Sequence, residues 1–431
     1  MLDKFKGLKD ATLSRVGTKK SNNDQKYLVA LDIGTEFVKA LIGHVNGNEI
    51  EIIGVGRSHQ SLSDMQAGAI SDIGSVVENC DEALNQAEQQ AGVSVRSAVI
   101  GIAGELVKGT TTTVRVARKQ PDKALDMPEI ERIIKLVQER AEAKAKQQLA
   151  WELGGKNVDV RLVNSALVGI EIDGYQVTNP IGFQGRDVVV QLYTAFAPLI
   201  HIGALERTAE QLDLDLIAVA AEPFAVARSV IGDDQSASMS AILMDVGGGT
   251  TDIAVINDGG VQGTKMFGIG GRAYTRSVER DLNVEFDQAE ELKLGLSTNK
   301  VPRNKVPSIE AALGKTLDVW VSGVELALSE FTKLDHLPYR ILLCGGGSSL
   351  DMLMDRLHDS GWYNKLPFTR KPVVQHIQPG QVVGITDKTG HVNDHTYITA
   401  MGLLRVGLDT MQLAGGGGNT VKDKIDRILH V

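Results

Sequence analysis

Two short stretches of this sequence each bring a carboxylate to a glycine turn at the end of an apolar run. One is Leu28-Val29-Ala30-Leu31-Asp32-Ile33-Gly34-Thr35; the other is Ala241-Ile242-Leu243-Met244-Asp245-Val246-Gly247-Gly248-Gly249-Thr250-Thr251. A phosphate chain needs closely spaced backbone N–H donors, and glycine lets the backbone approach because no Cβ stands in the way. Asp32 and Asp245, each just ahead of its loop, have the charge to hold Mg2+, best through the waters of the ion. Lys39, seven residues past Asp32, is spaced to reach a phosphate from the returning strand. Either loop taken singly reads as well as a tight hairpin turn, since such turns also favour Asp and Gly. A third loop, Cys344-Gly345-Gly346-Gly347-Ser348-Ser349, joins a strand to a helix and suits close approach to a ribose and base. Glu222 lies at a strand end with Pro223 at the first helical position, where it could position water or simply cap the helix.

The elements that must hold these residues follow from the same stretches. Each Asp–Gly unit reads as a buried strand, a turn and a second strand, and the second unit repeats the first 213 positions later. Such an echo is the trace of two related lobes. Between 95 and 198 the rhythm changes. Strands at 97–102 and 111–117 precede a helix opened by Asp126-Met127-Pro128-Glu129, with Ile130, Ile133, Ile134 and Val137 on its apolar face. A hairpin turning at Asp173-Gly174 and a strand over 186–195 complete an α+β subdomain inserted in the first lobe. Gly268-Ile269-Gly270-Gly271-Arg272-Ala273 matches a dinucleotide fingerprint, but it follows a hairpin instead of opening a βαβ unit.

Composition narrows the function. Over 431 residues the net charge is −9 and aromatics are 4%, which argues against a surface for nucleic acid. Two cysteines build no disulfide framework, which fits a reducing cytoplasm. No apolar run approaches the roughly 18 residues of a membrane span, and no secretory signal is evident, so membrane contact is expected to be peripheral. Two tails suit that role. Residues 1–26 are basic, with Met1, Leu2, Phe5, Leu8, Leu13 and Val16 on one arc, a pattern of an interfacial helix or of a disordered basic arm. Behind a Gly415–Gly418 spacer, Val421, Ile425, Ile428 and Leu429 share one face, with Lys422, Lys424 and Arg427 elsewhere.

Taken together, Asp32-Ile33-Gly34-Thr35, Asp245 to Asp252, Glu222-Pro223, Gly345-Gly346-Gly347 and Ala400-Met401-Gly402-Leu403 resemble the phosphate-1, phosphate-2, connect-1, adenosine and connect-2 motifs of the actin/Hsp70/sugar-kinase superfamily. Within it the chain is most similar to the FtsA family of bacterial cell-division proteins, through 31–43, 51–56, 97–104 and 247–255, and the likeness spans roughly 27–412. The resemblance implies an α/β, actin-like two-lobed ATPase fold of duplicated RNase H-like domains with an SHS2-type subdomain inserted in the first lobe. Its implied division is an arm at 1–26, a first lobe at 27–94, 199–233 and 391–413, and the insertion at 95–198. The second lobe would take 234–271 and 338–390 with a subdomain at 272–337, and the tail 414–431. It implies ATP and Mg2+ as cofactors, with Asp32, Asp245 and Glu222 supporting at most slow hydrolysis. Gly270, Gly271, Glu290 and Lys293 would join Gly345, Gly346, Gly347 and Ser348 around adenosine, although Glu290 and Lys293 are also spaced as a helical surface ion pair.

Implied partners are the FtsZ C-terminal tail, further copies of the chain in an actin-like filament, other division proteins and an anionic membrane reached through a terminal helix. The implied location is the inner face of the cytoplasmic membrane at the septum. The basic stretch of Lys293, Lys300, Arg303 and Lys305 could meet an acidic FtsZ tail or be a solvated loop. A pilus-assembly protein of the PilM type is the nearest alternative, and Lys39 suits it. A sugar kinase would need a catalytic Asp between the lobes that the sequence does not mark.

Overall fold

Tyr27–Ile33 forms β1, buried from Leu28 onward, as befits a strand with neighbours on both edges and both faces. The structure, a computed structural model, describes residues 26–231, 239–359, 361–414, 425 and 429. The expected N-terminal arm and the tail, Ile425 and Leu429 apart, lie outside the described residues.

After β1 come β2 (Phe37–Asn46), β3 (Glu49–His59), the small ribbon of β4 (Met65–Gln66) and β5 (Ala69–Ile70), α1 (Ile73–Ala91) and β6 (Ser97–Ile102). The insertion contributes β7 (Lys108–Ala117), α2 (Met127–Glu152), β8 (Val160–Ile172), β9 (Tyr175–Gln176) and β10 (Asp187–Pro198). Then follow α3 (Leu199–Gln211), β11 (Asp215–Ala221), α4 (Glu222–Ile231), β12 (Ala241–Val246), β13 (Thr251–Asn257), β14 (Gly260–Phe267), α5 (Gly271–Leu282), α6 (Phe286–Ser297) and α7 (Val306–Ser329). The chain continues through β15 (Arg340–Cys344), α8 (Asp351–Asp359), β16 (Val373–His376), β17 (Ile385–Asp387) and α9 (Ile398–Ala414).

Two sheets share one plan. The first has the order β11-β6-β1-β2-β3-β17; the second begins β16-β15-β12-β13-β14. In each, the strand that ends in an aspartate is central. It has an antiparallel meander on one side (β2, β3 or β13, β14) and a parallel strand on the other (β6 or β15). This is the duplicated two-lobed α/β architecture of the actin-like fold. The second sheet then runs on through β7-β10-β8-β9 of the insertion, joined to β14 through the single pair Gly263 and Thr110.

Two strands sit elsewhere than the sequence suggested. β6 lies between β1 and β11 in the first-lobe sheet, because its residues from Ala98 onward are apolar on both faces and need cover on both. The sheet of the insertion therefore starts at β7. β17 pairs with β3, so residues 385–387 join the first sheet rather than the second.

Local signals behave as their chemistry requires. Asp126 caps α2 by accepting from the Glu129 N–H at 3.1 Å, and Pro128 fills the first turn. The Glu129 carboxylate, which a full capping box would return to the cap, pairs instead with buried Arg118 at 2.9 Å. Asp173 and Gly174 both take positive φ, 50° and 85°, as the two-residue hairpin between β8 and β9 demands. Among the described residues no helix is long and apolar enough to cross a membrane.

The crossing of α4 and α9 bears directly on the cleft, since α4 starts with Glu222. A Cβ on Gly402 would stand 2.3 Å from the Ala225 carbonyl oxygen. Gly402→Val should force these helices apart, cost about 1–3 kcal/mol, and lower the midpoint of thermal unfolding. An unchanged midpoint would show that the crossing is looser than described.

Candidate functional site

Strand register carries both aspartates into one cleft. Asp32 ends β1 directly opposite Lys39 on β2, and Lys39 Nζ donates to Asp32 Oδ2 at 2.9 Å. Asp245 holds the same place on β12, opposite Asp252 on β13. The seven-residue offset is thus used twice, with a cation in one lobe and an anion in the other. Sequence reasoning used the offset for Lys39 and missed Asp252, to which it points equally.

A cavity of about 520 Å3 opens between the lobes. Asp32, Gly34, Thr35, Lys39, Glu222, Asp245, Gly247, Gly248, Thr250, Gly271, Glu290, Lys293, Gly345, Gly346 and Gly347 all line it. Four expected contact residues do not, and each supports the loops from behind. Gly249 faces Thr35, whose Oγ1 would lie 2.9 Å from an added Cβ. The Thr251 hydroxyl donates to the Ile269 carbonyl at 2.7 Å and accepts from Trp320 Nε1 at 2.8 Å. Gly270 is wedged on the Gly247 carbonyl, 2.6 Å from where its Cβ would be. The Ser348 hydroxyl donates to the Gly345 carbonyl at 2.7 Å. The dinucleotide-like glycines open α5, but β14 is antiparallel to β13. The first N–H groups of α5 donate to the Gly247 and Gly248 carbonyls at 2.9 and 2.7 Å, so they brace a loop.

The third glycine loop reaches the carboxylate itself. Gly345 has φ +81°, and a Cβ there would sit 2.1 Å from Asp245 Oδ1. Asp245 also accepts from the Thr399 hydroxyl. On the opposite wall Lys293 is buried. It donates to Thr275 Oγ1 at 2.9 Å, approaches the Gly271 carbonyl at 3.3 Å, and pairs with Glu290 at 2.7 Å. The Glu290–Lys293 pair therefore belongs to the cavity wall, not to an open helix surface. Lys293 accordingly leaves the basic stretch, of which Lys300, Arg303 and Lys305 remain exposed.

Electrostatically the cleft is short of positive charge. Burial and the Asp32, Asp252 and Asp245 carboxylates push Glu222 well above the usual carboxylate range, against a smaller pull from Lys39. Burial, with the charge of Asp245, raises Asp252 to about 8. Asp245 is raised too, mainly by burial, despite its hydrogen bond from Thr399. Burial alone would lower Lys39, but the attraction of Asp32 prevails and its pKa is raised. Hard oxygen donors that outnumber the cations of the lining fit a divalent cation such as Mg2+. Among the described residues no three Asp, Glu, His or Cys side chains gather as a complete metal cage.

The lobes are also tied together by residues that the sequence reading did not identify. Arg272 at the start of α5 donates through Nε to Glu36 Oε2 at 2.7 Å, and through an Nη to the Thr35 carbonyl at 2.7 Å. Over 230 positions separate these partners, so no local pattern announces them.

Comparison with known proteins bears on what this site serves. The model of a family described as cell division protein FtsA matches residues 242–402, from β12 into α9. The chain is 26% identical over 424 residues to the cell division protein FtsA of Pseudomonas aeruginosa, covering 93% of this chain and 94% of that protein. It is 24% identical to that of Escherichia coli over 423 residues, with 90% and 91% covered. Among solved structures, the PilM-PilN type IV pilus biogenesis complex contains a chain similar in fold at a TM-score of 0.64 and 17% identity. The match covers 88% of this chain and 98% of that one.

Two predictions follow from the charges and the tie. In the folded, ligand-free protein Asp252 keeps its proton to about pH 8, whereas the unfolded chain releases it near 3.8. Between those values the folded state binds more protons, so stability falls as pH rises, and Glu222 acts in the same direction. Melting temperatures measured without nucleotide or divalent ions should drop from pH 5.5 to 8, and Asp252→Asn should flatten the slope; a flat wild-type profile would refute the assignment. Arg272→Ala should let the lobes separate, seen as a larger radius of gyration in small-angle scattering, while an unchanged radius would show that the tie does not hold them.

Proposed function

Because the chain belongs to the family of the cell division protein FtsA, we propose that it binds ATP with Mg2+ between its lobes, polymerises like actin, and tethers FtsZ filaments to the cytoplasmic membrane at the septum. The observation that carries the nucleotide reading is the pairing of two aspartate-ended strands, each feeding a glycine loop into one cavity. Backbone N–H groups of Thr35 and Gly248, beside turns closed by the Gly34 and Gly247 N–H groups, would receive phosphate oxygens. Lys39 would exchange Asp32 for a phosphate oxygen. Asp32 and Asp245 would hold Mg2+ through water, and the ion when bound would supply charge to the terminal phosphates. Adenosine would rest between Glu290, Lys293 and the Gly345–Gly347 loop.

Hydrolysis on this reading is slow for a physical reason. Glu222 is the carboxylate nearest to a general-base role, and burial with three neighbouring carboxylates raises its pKa well above the usual range, which leaves less of it ionised to take a proton from water. ATP would act chiefly by favouring the closed form, in which Arg272 grips Glu36, and that form would polymerise. The partners proposed are the FtsZ tail, other division proteins, further copies of the chain and anionic lipid at the inner membrane face. Likeness to the PilM-PilN complex at 17% identity concerns fold alone.

Binding of labelled partners by fluorescence anisotropy tests this, with an FtsZ C-terminal peptide expected to bind and PilN, the partner in the pilus complex, not. The reverse preference would replace this reading by the pilus one. With ATP and phosphatidylglycerol vesicles the protein should pellet and show filaments by electron microscopy. Asp245→Ala should lower filament yield at least tenfold; equal yields would sever polymerisation from the cleft.

A further inference from the structure

The inserted subdomain has an apolar sheet face wider than its own helix can cover. Val114 on β7, Val188, Val190 and Leu192 on β10, and Ile170 and Ile172 on β8 are all buried in one cluster. Three strands at about 4.8 Å spacing, with the side chains of the outer two, present more width than one helix of about 10 Å diameter. α2 lies chiefly over β7 and β10, and much less over β8. Its Ile130, Ile133, Ile134 and Val137 enter the cluster, while farther along Ala141 and Ala145 sit against Phe196 in a separate one.

The remaining cover comes from the far end of the chain. Ile425 and Leu429, both helical and one turn apart, are 2% and 1% exposed and belong to the same cluster as β8 and the first half of α2. In the sequence they form the centre of the apolar face that also carries Val421 and Ile428. The step from Ala414 to Ile425 includes four glycines and can span at most about 35 Å. That length allows docking on the subdomain and also departure from it.

We propose that Ile425 and Leu429 are an intramolecular plug, seated on the open side of the inserted subdomain, and that an anionic membrane must draw them out. The second half of this rests on the membrane reading above; the first does not. Ile425 and Leu429 cannot lie in the groove and among acyl chains at once, so docking withholds the anchor from lipid. Two aliphatic side chains make a small contact that a lipid surface can outcompete, particularly when a filament presents many tails together. Departure of the plug also uncovers an apolar strip on the subdomain. Membrane attachment and exposure of that strip are thereby coupled.

Hydrogen–deuterium exchange on the full chain tests both halves. Without lipid, Ile425→Asp with Leu429→Asp should raise exchange about tenfold in peptides covering 130–137 and 167–172, and leave those of α9 unchanged. The milder pair Ile425→Ala with Leu429→Ala should give the same pattern at smaller amplitude, which separates undocking from unfolding of the subdomain. Unchanged exchange in both variants would overturn the docked plug. Wild type recovered on phosphatidylglycerol vesicles should show the same local gain; full protection in that fraction would overturn the exchange between groove and lipid. If wild type fails to bind vesicles while the variants expose the groove, the membrane reading fails and the docked segment stands.

Discussion

Four carboxylates, those of Asp32, Glu222, Asp245 and Asp252, crowd the cleft between the lobes around Lys39, while two further cations of its lining, Arg272 and Lys293, are paired with Glu36 and Glu290. Like charges in a site poor in water repel strongly, and protonation or a bound cation can relieve them. The first remedy is favoured at two of them, since burial and the neighbouring carboxylates raise Asp252 to about 8 and raise Glu222 as well. On the proposed function, the glycine loops would make the second possible by admitting a polyphosphate and its cation to the same place. Thr399, Gly345 and the Arg272 tie are best understood as supports for this arrangement, since each fixes a carboxylate, or a loop beside one, in position.

Duplication supplies the frame, and its departure from symmetry supplies the chemistry. The two sheets repeat strand order and register closely enough that Asp32 and Asp245 are equivalent, as are Lys39 and Asp252. Had both lobes carried lysine opposite aspartate, each carboxylate would be neutralised at home and the cleft would have no need of a cation. Aspartate at 252 breaks that balance. It sets a second carboxyl group beside Asp245, in place of a cation, at the point where phosphates would meet the second loop.

What could be read in advance divides along sequence distance. β1, β12, their glycine turns, the Asp126 cap and the Asp173-Gly174 hairpin were legible because each is decided by residues within a few positions. The placement of β6 and β17 was not, since a short apolar strand does not say which sheet will receive it. Glu36 and Arg272 are ordinary charged residues until folding brings them together. Thr251 and Ser348 lie within the right motifs, but their hydroxyls are used up by Ile269, Trp320 and Gly345. The apolar face of the tail was visible at once; that two of its residues are buried in the inserted subdomain was not, because the sheet they cover lies more than 200 positions earlier.

The cation shortfall makes a sharp demand on ligand binding. ATP without a divalent ion brings its full negative charge to a cleft already rich in carboxylates, whereas Mg2+ offsets part of that charge and gives the carboxylates a cation to face. Isothermal titration calorimetry of the wild-type protein with ATP, in excess Mg2+ and again in excess EDTA, measures this directly. One site per chain is expected, at least tenfold tighter with Mg2+ than without. Equal affinity under both conditions, or no binding under either, would contradict the account.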